Sequence, residues 1–338
     1  MRSILGLASL AMALVVGLPA DAADVNVYSA RKDALITPLL DQFSKETGIK
    51  VNLITGKADA LLSRIAAEGA ATPADVFITV DAGRLHRARI AGVLDPIKSD
   101  IINKRVPANL RDPEGFWIGL TLRARPIFYA KDRVNPSTLT TYEALTDAQW
   151  HGKICIRSSG NIYNQSLVAS MIATTGIEAT ENWARGMVNN FARKPTGGDT
   201  DQIYAVAAGQ CDLAIANTYY YGRLLDSEKK SDRETAEKVG VFWPNQSDRG
   251  THVNVSGAAI TKYSKNRDEA IQLLEFMVSD AAQTYYAEIN HEYPVVPSAS
   301  VSTSIKTLGE FTSDTVNLSM LGVYNTDAVK LMDRVGWQ

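Results

Sequence analysis

From Asp24 to Ala91 the apolar residues switch between a strand-like period of two and a helix-like period of about 3.6, three times in succession. Asp24 to Ser29 (Asp-Val-Asn-Val-Tyr-Ser) alternates apolar and polar residues, as a half-buried strand does. Ala34 to Thr47 then places Leu35, Leu39, Leu40 and Phe43 on one helical face, and Gly48 supplies a stop. Val51 to Ile54 reads as a second strand, Ala58 to Glu68 as an amphipathic helix, and Ala74 to Ile78 as a third strand. Asp81 is placed to cap a helix over 82–91. Strand and helix in strict alternation predict a parallel sheet covered on both faces.

The remainder repeats the theme after an interruption. Asp95 to Glu114 is polar and irregular, and Phe116 to Tyr129 is mostly apolar and extended. Beyond a short helix around Tyr142 to Leu145 comes a second series: strand 153–157, helices 162–175, 178–190 and 200–208, strand 212–216, helix 218–230, strand 239–243. His252 to Ile260 reads as a long strand returning to the first unit, followed by helices 268–278 and 281–290 and a largely helical tail from Ser300. The expected fold is α/β in two lobes joined by extended crossovers near 117–125 and 240–257. The first lobe takes residues 23–120 and 245–297, the second 121–244 and 298–338. Such an arrangement leaves a cleft between lobes, where ligand pockets are favoured.

The first residues are Met1-Arg2-Ser3, an apolar run from Ile4 to Leu18, and Ala20-Asp21-Ala22. A basic start, an apolar stretch shorter than the ~20 residues of a membrane span and an A-x-A site read as a secretory signal peptide over 1–22, cleaved near Ala22. An exported chain meets an oxidising compartment, so a Cys155–Cys211 disulfide is favoured over two buried thiols. Thirty-five basic residues against 37 acidic ones leave no excess that would favour nucleic acid.

Each cysteine stands eight residues before a tyrosine, Tyr163 or Tyr219. Tyr219, Tyr220 and Tyr221 follow the strand-like Leu213-Ala214-Ile215-Ala216, with Asn217 as a helix N-cap between. Phenol oxygens are thus expected at a strand-to-helix junction, where α/β folds place ligands. A phenol gives up its proton, at a pKa of about 10, only to a strong field. As a phenolate it is a hard anionic oxygen suited to a hard cation, and three would neutralise Fe³⁺. Adjacent helical residues point about 100° apart, so two of the three consecutive tyrosines can converge and Tyr221 is expected to be structural. The other pair, Tyr285-Tyr286, falls within a helical pattern and reads as packing.

Arginine completes the picture. Arg31 follows the first strand, Arg123 lies on a crossover, and Arg223 sits one turn beyond Tyr219 and Tyr220. Guanidinium grips planar oxyanions bidentately, so a carbonate could fill the positions that three phenolates leave open on iron. Ser158-Ser159-Gly160-Asn161 offers hydroxyls and backbone N–H groups at a helix N-terminus, a further anion contact. The four histidines have no metal spacing, and no nucleophile elbow, phosphate loop or dinucleotide fingerprint occurs. An exported hydrolase therefore lacks its residues. A same-fold binder of an organic cation or oxyanion remains the rival reading.

Several segments together resemble the periplasmic ferric-iron-binding proteins of ABC importers. They are Val27-Tyr28-Ser29-Ala30-Arg31, Ala74-Asp75-Val76-Phe77, Arg123-Ala124-Arg125-Pro126-Ile127-Phe128-Tyr129, Arg157-Ser158-Ser159-Gly160-Asn161-Ile162-Tyr163-Asn164-Gln165, Ala216-Asn217-Thr218-Tyr219-Tyr220-Tyr221-Gly222 and Glu292-Tyr293-Pro294-Val295. The resemblance spans nearly the whole mature chain. It implies a monomeric, hinge-bending periplasmic binding protein without catalytic turnover, which carries Fe³⁺ to an inner-membrane permease. It puts the iron ligands on Tyr163, Tyr219 and Tyr220. Many relatives add a His or His-Tyr pair after the first strand, where this chain has Lys32 and Asp33. The departure points instead to a three-tyrosine subgroup in which carbonate or bicarbonate is held by an arginine at the place of Arg31. Arg123, Arg223 and Ser159 then join Arg31 as anion-contacting or supporting residues. Asp33 is left as an iron ligand or, in preference, a helix cap.

Overall fold

The computed structural model describes residues 23–338. The expected leader, residues 1–22, lies outside the described residues. The first unit runs β1 (Asp24–Ser29), α1 (Asp33–Thr47), β2 (Lys50–Thr55), α2 (Ala58–Glu68), β3 (Val76–Val80), α3 (Ala82–Ile90), β4 (Leu94–Asp95), α4 (Asp100–Arg105) and β5 (Ile118–Ala124). In α1, Ile36, Leu39, Leu40 and Phe43 form the buried stripe, and Gly48 ends it with φ 75° while its N–H reaches Ser44 O. Each such side chain, buried in full, contributes about 1.5–3 kcal/mol.

After β5 the chain leaves this sheet through Arg125-Pro126. The second unit holds β6 (Ile127–Ala130), β7 (Ile154–Cys155), α5 (Ile162–Thr175), α6 (Ile177–Asn189), α7 (Asp199–Ala207), β8 (Leu213–Ile215), α8 (Thr218–Leu225), α9 (Lys230–Lys238) and β9 (Val239–Phe242). The nine-residue β10 (Val253–Thr261) then returns to the first sheet, followed by α10 (Arg267–Met277), α11 (Asp280–Asn290) and β11 (Tyr293–Pro294). The chain ends in α12 (Thr303–Lys306), α13 (Ser319–Val323) and α14 (Asn325–Arg334).

Two sheets result, the expected α/β architecture in two lobes. The first has the order β11-β5-β10-β3-β1-β2 with β4 beside β10, and the second β7-β8-β6-β9. β1 pairs in parallel with β2 and β3, as the alternation requires. The expectation of an all-parallel sheet fails beyond them, because β10 enters antiparallel between β3 and β5. A strand arriving from the other unit is not bound by the β-α-β crossover rule. β7 and β8 are parallel neighbours, and the disulfide joins Cys155, the last residue of β7, to Cys211 just before β8 with a Cα separation of 5.8 Å.

Other expectations shift. The third strand starts at Val76, and the buried Asp75 before it commits its carboxylate to Asn26, Ser264, Lys265 and Asn266. The stretch over 95–114 is less irregular than its polarity suggests, since Ser99 caps α4 by accepting from Ile102 N at 3.1 Å. The helix expected over 218–230 stops at Leu225, and a separate helix starts at Lys230. There Ser227 Oγ accepts from Lys229 N and bonds Asp232 at 2.7 Å, local side-chain bonds that compete with the helix ladder. The tail is helical only in pieces. Leu318 and Leu321 pack into the core of the first sheet, while Ala328, Leu331, Met332 and Trp337 pack into that of the second. Among the described residues no helix is long and apolar enough to cross a membrane.

Candidate metal centre

β8 ends at Ile215, and α8 begins three residues later at Thr218, so the tyrosines occupy a strand-to-helix junction as expected. Tyr219 and Tyr220 lie with ring centroids 4.3 Å apart. The Tyr219 hydroxyl donates to that of Tyr163 at 3.2 Å, across 56 residues of sequence. Tyr163 is the second residue of α5, whose N-cap Asn161 accepts from Tyr163 N at 3.1 Å. Tyr221 points away, its hydroxyl 2.9 Å from both Ala236 O and Val239 O and its ring against Phe128. Tyr219 thus meets Tyr163 directly and Tyr220 packs on Tyr219, while Tyr221 turns away as expected.

Asn217 does not cap α8 with its side chain, contrary to expectation. The buried Arg125 takes its oxygen at 3.0 Å, and Asn217 Nδ2 faces the Tyr219 hydroxyl at 3.4 Å. Arg125 also reaches Asp199 and Asn164, and the Asp199 carboxylate accepts from Asn217 N at 2.7 Å. This charged network, absent from the sequence reading, fixes the two tyrosine-bearing helix starts to one another. Breaking a buried charged pair of this kind costs several kcal/mol, about 3–5.

The tyrosines line a cavity of about 170 Å³ together with Arg31, Lys32, Arg123, Arg223 and Glu292. The Arg223 guanidinium lies 5.0 Å from the Tyr219 ring centroid and Arg123 lies 5.4 Å from that of Tyr163. Arg31 is 7% exposed and donates to Glu292 at 2.6 Å, leaving its Nε and Nη1 without partners. Arg123, 1% exposed, donates to Ser256 at 3.0 Å, and its Nε and Nη2 are likewise free. The cavity therefore offers four buried guanidinium nitrogens with unspent hydrogen-bonding capacity.

Burial holds the Tyr219 phenol well above its ordinary value, and the neighbouring phenols of Tyr163 and Tyr220 push the same way against Arg123. Tyr220 is raised as well, again chiefly by burial. An incoming cation must displace these protons. Burial would also raise Glu292, but the charges of Arg31 and Arg123 outweigh it and hold the carboxyl below the usual glutamate range.

Glu292 is the site residue whose role sequence reasoning missed. Its partner Arg31 lies 261 positions away, and no local pattern marks the pairing. Tyr286, read as packing, is buried in α11 with Arg31 5.6 Å from its ring centroid. Ser159 is not among the residues that line the cavity; its carbonyl accepts from Gln165 at 2.9 Å. Asp33 is not a cap, because α1 starts at Asp33 itself and Lys32 takes the N-cap position without a capping side chain. Among the described residues no group of three or more His, Cys, Asp or Glu is arranged to hold a metal.

Comparison with known proteins follows the same line. Residues 28–284 match the family described as bacterial extracellular solute-binding protein. The chain is 51% identical to iron uptake protein A1 of Synechocystis sp. over 320 residues, covering 95% of this chain and 89% of that protein. The structure of the Trichodesmium protein IdiA (FutA) in complex with iron and citrate ligands superposes with a TM-score of 0.92 at 53% identity, covering 94% of this chain and all, 100%, of the other. The ferric binding protein from Campylobacter jejuni gives a TM-score of 0.87 at 39% identity, with 93% and 100% covered.

Proposed function

The chain belongs to the bacterial extracellular solute-binding protein family, and from that premise we propose that it is a periplasmic carrier of ferric iron, holding Fe³⁺ through Tyr163, Tyr219 and Tyr220. The observation that carries the reading is the convergence of these three tyrosines, from two helix starts, on one small cavity walled by cationic side chains. Phenolates supply hard, anionic oxygen to a hard cation, and arginine is the residue suited to an oxyanion that completes its shell. The relatives named for iron uptake and ferric binding support the same cargo. Carbonate is the anion the sequence favours; the complex of the Trichodesmium relative with iron and citrate ligands supports a carboxylate in its place.

In this reading the first lobe, residues 23–120 and 245–297, brings Arg31 and Lys32 to the anion. The second lobe, 121–244 and 298–338, brings the iron ligands, with Leu318 and Leu321 at the start of α13 docked on the first. Arg123 and Arg223 flank the anion and the phenolates. The chain acts without chemical turnover and passes its cargo to an inner-membrane ABC permease after export and removal of residues 1–22. The test is colour. Ferric iron added with bicarbonate should produce a visible phenolate-to-iron absorption band, which Tyr219→Phe, Tyr220→Phe and Tyr163→Phe each weaken and a Tyr219→Phe/Tyr220→Phe double variant abolishes. Tight ferric binding by the double variant, measured by competition with a chelator, would refute the ligand set.

A further inference from the structure

We propose that the Asp81 carboxylate and the Ser166 hydroxyl form a latch between the lobes that holds the cleft closed over Tyr163 and sets the rate at which cargo leaves. The cargo is that of the proposed ferric reading; the latch itself is argued from geometry. Asp81 directly follows β3 of the first sheet and caps α3, and the preceding Val80 lines the cavity. Its backbone has φ 83° and ψ 123°, a region L-residues rarely occupy and keep only where the surroundings over-determine it. Those surroundings are complete: its N–H donates to Val255 O at 2.8 Å, and its carboxylate accepts from Gly83 N at 2.9 Å, Asn254 Nδ2 at 2.9 Å and Ser166 Oγ at 2.8 Å.

Of the three carboxylate bonds, two come from its own lobe. The third comes from α5 of the other lobe, where Ser166 lies three residues after Tyr163 and hence on the same helix face. Both partners are fully buried. When the lobes part, Gly83 and Asn254 still hold the carboxylate, and the Ser166 bond alone is lost. A contact made in one conformation and not in the other biases the equilibrium toward the first. The elements around it are in van der Waals contact or closer. A Cβ placed on Gly83 would lie 3.6 Å from Leu321 O of α13 and 3.8 Å from Ile162 Cδ1 of α5. One on Gly322 would fall 2.2 Å from His86 Cβ, so α13 meets α3 at glycine distance. The latch thus closes a three-way junction of α3, α5 and α13, on the helix that positions one proposed iron ligand.

A hydrogen bond to a charged group corresponds to roughly a tenfold or larger factor in an equilibrium. The iron-loaded full chain, challenged with excess EDTA, should therefore lose its visible band about tenfold faster in Ser166→Ala, with the absorption maximum unchanged because the ligands are the same. Asp81→Asn, which tolerates a positive φ, should speed release too, and the double variant should be no faster than the faster single variant. An unchanged release rate, a shifted absorption maximum or additive effects would overturn the latch. The wild-type chain gives a test that needs no variant: hydrogen exchange at 79–85 and 162–168 should slow on iron loading, and unchanged exchange there refutes the proposal. If iron produces no band in the wild type, the ferric reading fails by itself. The latch is then read by small-angle scattering of the metal-free proteins, where Ser166→Ala should be more extended than wild type and an identical profile overturns it.

Discussion

Glu292→Gln removes one charge and almost no volume from the wall of the cavity. In the wild type the carboxylate lies 2.6 Å from Arg31, with the two side chains 6% and 4% exposed. Neutralising one member of such a pair leaves the other charge buried without compensation, at a cost of about 3–5 kcal/mol. The amide can still accept from Arg31, which places the expected loss near the lower end, about 3 kcal/mol. If each lobe melts as a unit of 150–250 residues, at about 2–4 °C per kcal/mol, the midpoint should fall by roughly 6–12 °C at neutral pH. The pH dependence is a second signature. The folded carboxyl sits below its ordinary value: burial acts to raise it, and Arg31 and Arg123 overcome that. A depressed carboxyl contributes stability that is complete above the unfolded value, about 4.3, and lost as pH falls through the folded value. The gap between wild type and variant should thus be constant from about pH 6 to 8 and narrow as pH drops below about 4.3. Bicarbonate should restore more stability to the variant than to the wild type, because Arg31 then has no competing internal anion. Calorimetric melts at several pH values, with and without bicarbonate, check all three. A variant melting within about 1 °C of wild type at neutral pH would refute the reasoning that Glu292 is the counter-charge of Arg31.

Three further outcomes follow from single contacts. Tyr221→Phe should keep the ferric absorption band while costing about 1 kcal/mol in urea unfolding, since its hydroxyl serves Ala236 O and Val239 O and not the cavity. Replacing both Cys155 and Cys211 with serine opens a crosslink spanning 56 residues and should cost about 2–5 kcal/mol in denaturant unfolding. His252 is fully buried, and burial first, then Arg125, Arg249 and Arg123, lower its pKa well below the ordinary value. The unfolded chain therefore takes up a proton near pH 6.5 that the folded chain refuses, so this contribution is complete above about pH 6.5 and is lost as pH falls. His252→Gln should flatten the decline in melting temperature between about pH 6.5 and 5.5.

What was legible in the sequence was local. Leu39, Leu40 and Phe43 of the α1 stripe, the stop at Gly48 and the cap at Asp81 set out the first lobe because each is decided within one or two turns of chain, although the stripe is completed by Ile36 and not by the expected Leu35, which is half-buried. The junction before Tyr219 could be read for the same reason, and so could the turning away of Tyr221, which helical geometry demands. The antiparallel entry of β10 was hidden, since strand direction depends on where a distant segment returns. Asn217 carried a capping signal, yet its side chain went to Arg125, 92 positions away. Local propensity predicts the cap; the desolvated guanidinium, far costlier to leave unpaired, takes the oxygen. Ser159 stands just before α5, the helix that brings Tyr163 to the cavity, yet its carbonyl accepts from Gln165 and it is not among the lining residues; which groups of a helix start reach the cleft is decided by the fold.

The charges around the cavity give the departure at Lys32 and Asp33 its meaning. Arg31, Lys32, Arg123 and Arg223 against Glu292 leave an excess of three positive charges on its walls. Three proposed tyrosinates cancel that excess, and a ferric ion restores it. A site with a histidine ligand in place of Lys32 would bind the cation through more protein groups and carry one charge less. With lysine there, Arg31 and Lys32 present cations, and the first-lobe carboxylate on the cavity wall, Glu292, is committed to Arg31, so the attraction of that lobe is to whatever anion accompanies the iron. Guanidinium nitrogens left unpaired on Arg31 and Arg123 point the same way, since buried donors without partners are costly until an acceptor arrives. The lobes of this chain are therefore expected to close on the anion, with iron affinity that rises with bicarbonate or carboxylate concentration; an affinity indifferent to both would return the missing ligands to the first lobe.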